Sequence, residues 1–255
     1  MRRVAVTNQK GGSAKTTTTV NLAAALGEAG RRVLVIDLDP QASSTAWLGL
    51  TRPARGAYEL LMDSVPVDSL ILPTGAEGVS CIAATPALAG TERALAREIG
   101  AETTLRRRLA QLAGAWDYAL FDTPPTLGVL TLNALAAADE LLVPVEAHVL
   151  ALAGVTQLFD TVRMVRERLN PALEIAGMVV CRYDTRTRHA GEVAESLRQT
   201  FPDTMYETAI RENIRLAEAP SFHRPITDYD PRSSGAVDYR ALAGEVIAQE
   251  RRRTA

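Results

Sequence analysis

A short glycine-containing segment near the start of the chain carries the residues with the clearest chemistry. It reads Lys10-Gly11-Gly12-Ser13-Ala14-Lys15-Thr16-Thr17, between an apolar run at residues 4–7 and a helical pattern over residues 16–29. A strand, a glycine turn and a helix N-terminus together direct backbone N–H groups at one point, where an anion can bind. In such a loop Lys15 would reach the terminal phosphates of a nucleotide, and the Thr16 hydroxyl would ligate Mg²⁺.

Lysine occurs nowhere else in the chain. Of 28 Lys and Arg residues, only Lys10 and Lys15 are lysine, so 26 are arginine. Lysine carries a compact point charge and arginine a planar fork, so the two are not interchangeable in a tight anion site. The loop departs from the pattern G-x-x-x-x-G-K-[ST], because Gln9 and Ala14 occupy its two glycine positions. The alternative reading is a strand-to-helix turn that binds no ligand.

Composition places the chain among ordinary globular proteins. Its 255 residues are 47% hydrophobic and 23% charged, with a formal net charge of −2. These values exclude disordered and fibrous classes, and they argue against a surface coated in nucleic acid while allowing a local basic patch. The two cysteines, Cys81 and Cys181, are too far apart in sequence for a metal cluster, so we expect a reducing cytosolic location. No apolar run approaches the ~20 residues that span a bilayer.

Apolar runs alternate with helical patterns along most of the chain. Strands are predicted at residues 4–7, 32–37, 118–122, 141–145 and 175–181, and helices at 16–29, 130–137 and 153–169. Residues 42–114 are less regular, with short helices, a strand near 79–84 and a charged helix near 103–112. Continuous apolar strands separated by helices are typical of a parallel sheet covered on both faces. We therefore predict one α/β domain over residues 1–255, with a doubly wound, mostly parallel sheet flanked by helices.

Several further segments extend the pattern beyond the loop. They are Asp37-Leu38-Asp39-Pro40-Gln41, Phe121-Asp122-Thr123-Pro124-Pro125, Asn213-Ile214-Arg215-Leu216-Ala217-Glu218-Ala219-Pro220-Ser221 and Tyr229-Asp230-Pro231-Arg232-Ser233. With Lys-Gly-Gly-x-x-Lys-Thr-Thr, they resemble the deviant Walker A ATPases of the ParA/MinD superfamily, in the ParA (Soj-like) branch. The resemblance covers nearly the whole chain in order. It implies a P-loop NTPase fold with ATP or ADP and Mg²⁺ as cofactors.

The resemblance also implies a role for each polar residue of the site. Residues 10–17 would contact the nucleotide, with Lys10 reaching across a dimer interface to the partner's nucleotide. Asp39 would orient the attacking water. Asp122, which ends an apolar strand, would hold Mg²⁺ through water, with Thr16 as a direct ligand and Asp37 in support. Asp37 and Asp39, two residues apart in an extended chain, should also point to the same side.

Two departures from the family concern nucleotide binding. Ala14 stands where relatives have glycine and brings a Cβ towards the phosphates; we expect binding to survive with altered affinity or turnover. Where the family commonly has Ile-Pro-Arg-Asn, this chain has Ile210-Arg211-Glu212-Asn213. Base contacts from Arg211 and Asn213 are expected by analogy with the family.

The resemblance to ParA proteins, rather than the net charge, implies DNA binding. Arg186 and Arg215 fall where ParA relatives place arginines that bind DNA non-specifically, and Arg188, His189 and Arg224 could extend the patch. Residues 182–224 contain seven arginines and seven acids, so the charge count alone does not indicate DNA. Only segregation of the arginines onto one face would produce salt-dependent binding. The C-terminal stretch 239–250 has a narrow apolar stripe without Trp or Phe, which disfavours membrane binding.

These expectations combine into a partitioning ATPase of the cytoplasm and nucleoid. It would form an ATP-bound homodimer, bind DNA without sequence preference, and hydrolyse ATP slowly until a ParB-like partner stimulates it during chromosome or plasmid segregation. The alternatives are a cargo-positioning or MinD-like ATPase, and an ATP-dependent metabolic synthase on the same fold. A synthase needs an acceptor pocket, and the three histidines, His148, His189 and His223, do not form a catalytic group with the cysteines by spacing.

Overall fold

A computed structural model describes residues 1–62, 65–95, 98–148 and 151–253 of the chain. In these residues seven strands form one sheet. The strands are β1 (Arg2–Val6), β2 (Val33–Asp37), β3 (Ile71–Pro73), β4 (Val79–Ile82), β5 (Tyr118–Asp122), β6 (Glu140–Glu146) and β7 (Glu174–Cys181).

Helices connect the strands and cover both faces of the sheet. The α-helices are α1 (Lys15–Glu28), α2 (Ser43–Trp47), α3 (Ala57–Leu61), α4 (Thr91–Leu95), α5 (Thr104–Leu109), α6 (Val129–Ala137), α7 (Ala151–Arg168), α8 (Arg188–Thr200), α9 (Ile214–Glu218), α10 (Ile226–Tyr229) and α11 (Ser234–Arg253). Short 3₁₀ helices occupy Val67–Leu70, Pro86–Gly90, Ala101–Thr103 and Ala219–Phe222. None of the helices that the structure describes is long and apolar enough to cross a membrane.

The order of the strands places the site. It is β3-β4-β2-β5-β1-β6-β7, and every pair is parallel except β3 with β4. After β1 the chain moves to β2 on one side and later returns to β6 on the other, so the order reverses around β1. In open parallel sheets ligands bind at the carboxyl ends of the strands beside such a reversal. The loop that follows β1 lies at this point.

Alternation along the strands divides the core into two layers. Residues such as Leu34, Ile36 and Phe121 face one cluster that also contains apolar residues of α3, α5, α6 and α7. Their neighbours Val35 and Leu120 face a second cluster, built with α1 and α11. Because every strand residue of β2 and β5 is buried, both faces of the sheet are covered. This confirms the predicted doubly wound, mostly parallel architecture.

Several elements differ from the expectations, including the short helices α9 and α10, which were not predicted. The strand β3 is antiparallel and lies at the edge; its three residues are too short to show a period, and its proline suits an edge position. The helix α8 was not predicted, although Thr187 caps it by accepting a hydrogen bond from the Ala190 N–H at 3.4 Å. The other predicted strands and helices are present, with ends that shift by at most three residues.

Candidate nucleotide-binding site

The loop between β1 and α1 has the conformation of an anion cradle. Gly12 has φ +76°, and Ala14, which precedes α1, has φ +64° and ψ +25° in the left-handed region. A residue with a Cβ pays about 1 kcal/mol or more for this conformation, which explains why glycine suits position 14. Ala14 tolerates it in part because its side chain packs against the cluster beneath α1. The backbone of the loop therefore accommodates Ala14 at a position where the usual loop pattern has glycine.

Ser13 gives an independent sign that this loop binds a ligand. Its side chain is 1% exposed, and its Oγ has no hydrogen-bond partner among the residues that the structure describes. A buried hydroxyl left unpaired costs free energy, so such groups are rare unless a ligand or water completes them. An oxygen-rich ligand such as a phosphate group would complete this one.

Lys15 extends from the first turn of α1 into the loop. It is 7% exposed, and its Nζ donates a hydrogen bond to the Lys10 carbonyl oxygen at 3.2 Å. Burial lowers the pKa of Lys15, while the nearby carboxylates of Asp122 and Asp39 raise it. An anion placed in the cradle would restore the environment that a buried ammonium needs.

Lys10 has different surroundings from Lys15. Its side chain is 40% exposed, and its Nζ lies 3.5 Å from Glu146 Oε2. Its backbone N–H donates to Asn8 Oδ1 at 3.0 Å, and Asn8 in turn is anchored to the Pro144 carbonyl at 2.8 Å. The two lysines of the loop therefore point to different places, one into the cradle and one towards the surface.

Asp122 joins three elements at the carboxyl end of β5. Its Oδ2 accepts hydrogen bonds from Thr16 Oγ1 at 2.8 Å and from Ser44 Oγ at 2.7 Å. Thr19 Oγ1 lies 3.5 Å from Oδ1. The structure thus brings together the hydroxyl and the carboxylate that were predicted to form the magnesium site, and adds Ser44 from α2.

Asp37 lies beside Asp122, because the two are register partners at the ends of β2 and β5. Its Oδ2 accepts from the Thr45 N–H at 2.8 Å and from Thr45 Oγ1 at 2.7 Å, and its Oδ1 accepts from the Asp39 N–H at 3.1 Å. Asp39 itself is half-buried, and its Oδ1 accepts from the Gln41 N–H at 2.9 Å. Asp37 is therefore buried and fixed by hydrogen bonds, whereas Asp39 is half-buried and lies at the rim of the site.

The buried carboxylates favour a cation. Burial, together with the adjacent Asp122, raises the pKa of Asp37 to about 7 against the lowering effect of the Thr45 hydrogen bonds. Burial likewise raises the pKa of Asp122 to about 6, against the hydrogen bonds from Ser44 and Thr16. A divalent cation near this pair would remove the penalty of ionising both.

The donor set fits magnesium that arrives with a nucleotide. Mg²⁺ takes oxygen ligands, usually one or two from protein, with the rest from phosphates and water. The side-chain oxygens of Thr16, Asp122 and Asp37 lie together beside the carboxyl ends of β2 and β5. In the described ranges no cluster of three His, Cys, Asp or Glu side chains forms a metal cage of its own. A phosphate-bound magnesium, rather than a permanent ion, suits this arrangement.

A cavity of about 970 Å³ opens beside the loop. Its wall includes Gly12, Ala14 and Thr17 of the loop and α1, together with Arg211 and Asn213. The structure therefore places both predicted base-contacting residues next to the cradle.

The polar groups of these two residues are already engaged. The Arg211 guanidinium pairs with both Asp238 carboxylate oxygens, with Nη2 to Oδ1 at 2.7 Å. Asn213 Nδ2 donates to Ser234 Oγ at 2.7 Å, and its Oδ1 caps α9. They shape the cavity wall in this conformation.

The two arginines predicted to bind DNA are exposed. Arg186 is 82% exposed and pairs with Asp184 through two hydrogen bonds of 2.8 and 2.9 Å. Arg215 is 58% exposed and lies 2.9 Å from Glu218 and 3.8 Å from Asp230. Arg186 lines the 970 Å³ cavity, and Arg215 follows Ile214, which also lines it. Both arginines therefore lie near one side of the molecule, each beside an acid.

Arg224, which was expected to extend the arginine patch around Arg186, lies elsewhere on the surface. Arg224 and His223 line a separate cavity of about 380 Å³, together with residues of the β3–β4 region. Arg224 Nε lies 4.0 Å from Asp228. These two residues therefore belong to a different part of the surface from Arg186.

Sequence reasoning missed Ser44, Thr45 and Glu146. Ser44 and Thr45 hold the two buried aspartates, and Glu146 contacts Lys10. The available signal was a run of hydroxyl residues shortly after Asp39, and an acid at the end of an apolar strand. Neither signal specifies a partner, because the partners come from distant parts of the chain.

Comparisons with known proteins support the reading of the loop. A family model described as an AAA domain matches residues 1–175. The chromosome-partitioning ATPase Soj of Thermus thermophilus is 47% identical over 249 residues, covering 98% of this chain and 96% of that protein. The sporulation initiation inhibitor protein Soj of Bacillus subtilis is 44% identical over 247 residues, covering 96% of this chain and 98% of that protein.

Solved structures agree over almost the whole chain. A Mycobacterium smegmatis protein described as cobyrinic acid a,c-diamide synthase, with bound ADP and magnesium, is 36% identical with a TM-score of 0.86, covering 98% of this chain and 96% of that one. The cell division ATPase MinD of Pyrococcus furiosus is 25% identical with a TM-score of 0.81, covering 98% and 100%. The predicted cofactors are confirmed at the level of these related proteins. The chain belongs to the ParA/MinD family of deviant Walker A ATPases, in its Soj/ParA branch of chromosome-partitioning proteins.

Proposed function

We propose that this protein is an ATP-driven partitioning ATPase of the Soj/ParA type. Two copies enclose two ATP molecules, the dimer binds nucleoid DNA without sequence preference, and a ParB-like partner stimulates slow hydrolysis during chromosome or plasmid segregation. The observation that carries the proposal is the division between the two lysines. Lys15 is 7% exposed inside the cradle, whereas the side chain of Lys10 is 40% exposed and directed away from it.

Nucleotide binding uses the loop and the start of α1. Backbone N–H groups of residues 11–17 and the unpaired Ser13 hydroxyl receive the phosphate oxygens, and the helix dipole adds positive potential. Lys15 exchanges the Lys10 carbonyl for the β- and γ-phosphates. The nucleoside lies in the adjoining cavity, where Arg211 and Asn213 form part of the wall.

Three residues would hold the magnesium that accompanies ATP through side-chain oxygens. Thr16 would be the direct ligand, Asp122 would act through water, and Asp37 would support both from its buried position. When bound, magnesium neutralises charge on the phosphate oxygens and fixes their orientation. The 2.8 Å hydrogen bond from Thr16 Oγ1 to Asp122 supports this assignment, because it brings the two proposed magnesium-binding groups together.

Hydrolysis needs a positioned water and compensation of charge at the γ-phosphate. Asp39 lies at the rim, half-exposed, and orients the water that attacks the γ-phosphorus as the bond to the bridging oxygen breaks. Lys15 stabilises the charge from within the subunit. Lys10 of the partner supplies a second cation, so turnover requires the dimer.

Lysine substitutions test this division of roles. Lys15→Ala should abolish binding of ADP and ATP, measured by calorimetry with purified nucleotide. Lys10→Ala should leave ADP affinity within about twofold and remove hydrolysis and ATP-dependent dimerisation. Equal loss of ADP affinity in the two variants would refute the role assigned to Lys10.

DNA binding by the ATP-bound protein is tested through its salt dependence. Each phosphate contact that an arginine makes contributes about one to the slope of log affinity against log salt. Arg186→Ala and Arg215→Ala should each reduce that slope by about one, whereas Arg163→Ala, an exposed arginine on α7, is the matched control. ATP-loaded protein that is not retained by DNA at low salt would contradict this part of the proposal.

A synthase is the second candidate, since a solved neighbour at 36% identity is described as a diamide synthase. The thiols of this chain do not favour it. Cys81 and Cys181 are both buried, and burial raises their pKa values, that of Cys181 to about 12, so neither is an available nucleophile. ATP turnover that occurs without an added carboxylate acceptor, and that rises with DNA and a ParB-like protein, supports partitioning over synthesis.

A further inference from the structure

Glu146 is an acid beside the loop that the proposed mechanism does not use. It ends β6, and its side chain is 24% exposed. One carboxylate oxygen, Oε2, lies 3.5 Å from Lys10 Nζ, and the other, Oε1, lies 3.1 Å from Arg182 Nη1. A single carboxylate thus holds two cations, one of which is the lysine proposed to act on the partner subunit.

The backbone of Lys10 is held on the same subunit as well. Its N–H donates to Asn8 at 3.0 Å, and its carbonyl accepts from Lys15 at 3.2 Å. Phosphate oxygens are stronger acceptors for an ammonium than a carbonyl is, so bound nucleotide draws Lys15 away. The hydrogen bond to the Lys10 carbonyl is then lost, which leaves the Asn8 contact on the Lys10 backbone and the Glu146 ion pair on its side chain.

We propose that Glu146 holds Lys10 on its own subunit, and that formation of the two-subunit site requires this ion pair to break. The inference rests on the proposed role of Lys10 at the partner's nucleotide. One ammonium cannot stay beside its own carboxylate and also reach a phosphate across an interface. A partly exposed pair opposes the exchange by about two- to fivefold, which the multiple charge of a nucleotide overcomes. Glu146 is therefore a positioning residue that sets how readily Lys10 is released.

Arg182 modulates the same restraint. It follows β7 with φ +53°, in the left-handed region, and its guanidinium shares the Glu146 carboxylate with Lys10. If Arg182 is removed, Glu146 pairs with Lys10 alone and holds it more firmly. Loss of the acid and loss of the arginine should thus have opposite effects on release of Lys10.

The presence of only two lysines permits a direct test. Protein labelled with ¹³C,¹⁵N-lysine gives two sets of side-chain signals, and Lys10→Arg identifies those of Lys10. In nucleotide-free protein, Glu146→Gln should shift the Lys10 side-chain signals and leave those of Lys15 unchanged. Glu28→Gln, which removes a similarly exposed carboxylate paired with Arg240, is the control and should shift neither. Unchanged Lys10 signals in Glu146→Gln would overturn the inference whether or not the protein dimerises.

Sedimentation velocity with ATP and Mg²⁺ tests the consequence for assembly. Glu146→Gln should lower the dimer dissociation constant about two- to fivefold, and Arg182→Gln should raise it. The effect of Arg182→Gln should vanish in the Glu146→Gln background, because Arg182 is proposed to act only through Glu146. A weaker dimer in Glu146→Gln would make Glu146 an interface contact and overturn the inference. Wild-type protein that stays monomeric would refute the proposed function, while the lysine signals alone still decide whether Glu146 holds Lys10.

Discussion

The nucleotide- and magnesium-free protein should lose stability as the pH rises from 5 to 7, because two buried carboxylates must then ionise side by side. Burial raises the pKa of Asp37 from 3.8 to about 7 and that of Asp122 from 3.8 to about 6. A folded-state pKa above the unfolded value gives stability that is complete below the unfolded pKa and is lost as the pH passes through the folded one. The sign is opposite to that of a carboxylate in a salt bridge.

The size of the effect follows from the same values. Each pH unit between the unfolded and folded pKa values costs about 1.4 kcal/mol per group. Asp37 is fully buried, so solvent does not screen it, but the two acids lose their protons as a coupled pair. Asp37 alone, whose folded-state pKa is about 7, therefore loses about 3 kcal/mol of stabilisation between pH 5 and 7. For a chain of this length, that lowers the melting temperature by about 6 to 12 °C.

The assay is thermal unfolding across this pH range in the presence of a chelator. Asp37→Asn should reduce the pH slope by more than half, because it removes the acid whose pKa is raised further of the two. Asp184→Asn is the control: Arg186 holds the pKa of this exposed acid at about 2, so the slope between pH 5 and 7 should not change. Addition of ADP and Mg²⁺ should also flatten the slope. A wild-type protein that gains stability between pH 5 and 7, or an Asp37→Asn variant with the full slope, would refute the reasoning.

Three further predictions concern single side chains. Ala14→Gly relieves about 1 kcal/mol of backbone strain, but it also adds conformational freedom to the unfolded chain. The two effects oppose each other, so the melting temperature should change by less than about 2 °C. The control Ala42→Gly, at a residue with φ +54°, should change it as little. Calorimetry should find altered ADP affinity only in Ala14→Gly. Ser44→Ala removes a 2.7 Å hydrogen bond to Asp122 and should raise the magnesium concentration needed for half-maximal ATP turnover, with a normal response contradicting the contact. Arg108→Met leaves backbone carbonyls unpaired beneath a side chain that is 3% exposed, so it should cost about 2–3 kcal/mol in chemical denaturation without changing ADP affinity.

The sheet and the phosphate loop were predictable because their signals are local. Apolar runs such as residues 118–122 identify strands by composition alone, and two lysines around Gly11 and Gly12 identify the loop. The less regular region 42–114 was harder, since β3 is three residues long and its antiparallel pairing depends on β4. The prediction of a single domain over residues 1–255 stays a prediction.

Contacts between distant segments were not predictable. Ser44 reaches Asp122, 78 positions away in sequence, because α2 folds back over the ends of β2 and β5. The pairing of Arg211 with Asp238 likewise follows from how α11 packs, and a single sequence shows only that both residues are charged. The residue types thus indicated what kind of site to expect. The packing of helices on the sheet determined which side chains contact one another in it.

The contrast between two lysines and 26 arginines now has a physical reading. Several arginines of this chain are fixed by forked contacts with one carboxylate, as Arg211 is with Asp238 and Arg240 with Glu28. In the proposed cycle both lysines must instead change partners, Lys15 from a carbonyl to a phosphate and Lys10 from Glu146 to the neighbouring subunit. An ammonium on a flexible stem makes such an exchange without reorienting a plane, whereas a paired guanidinium must break two aligned bonds at once. The same reasoning explains why the weaker, 3.5 Å contact with Glu146 suits a restraint that has to be released.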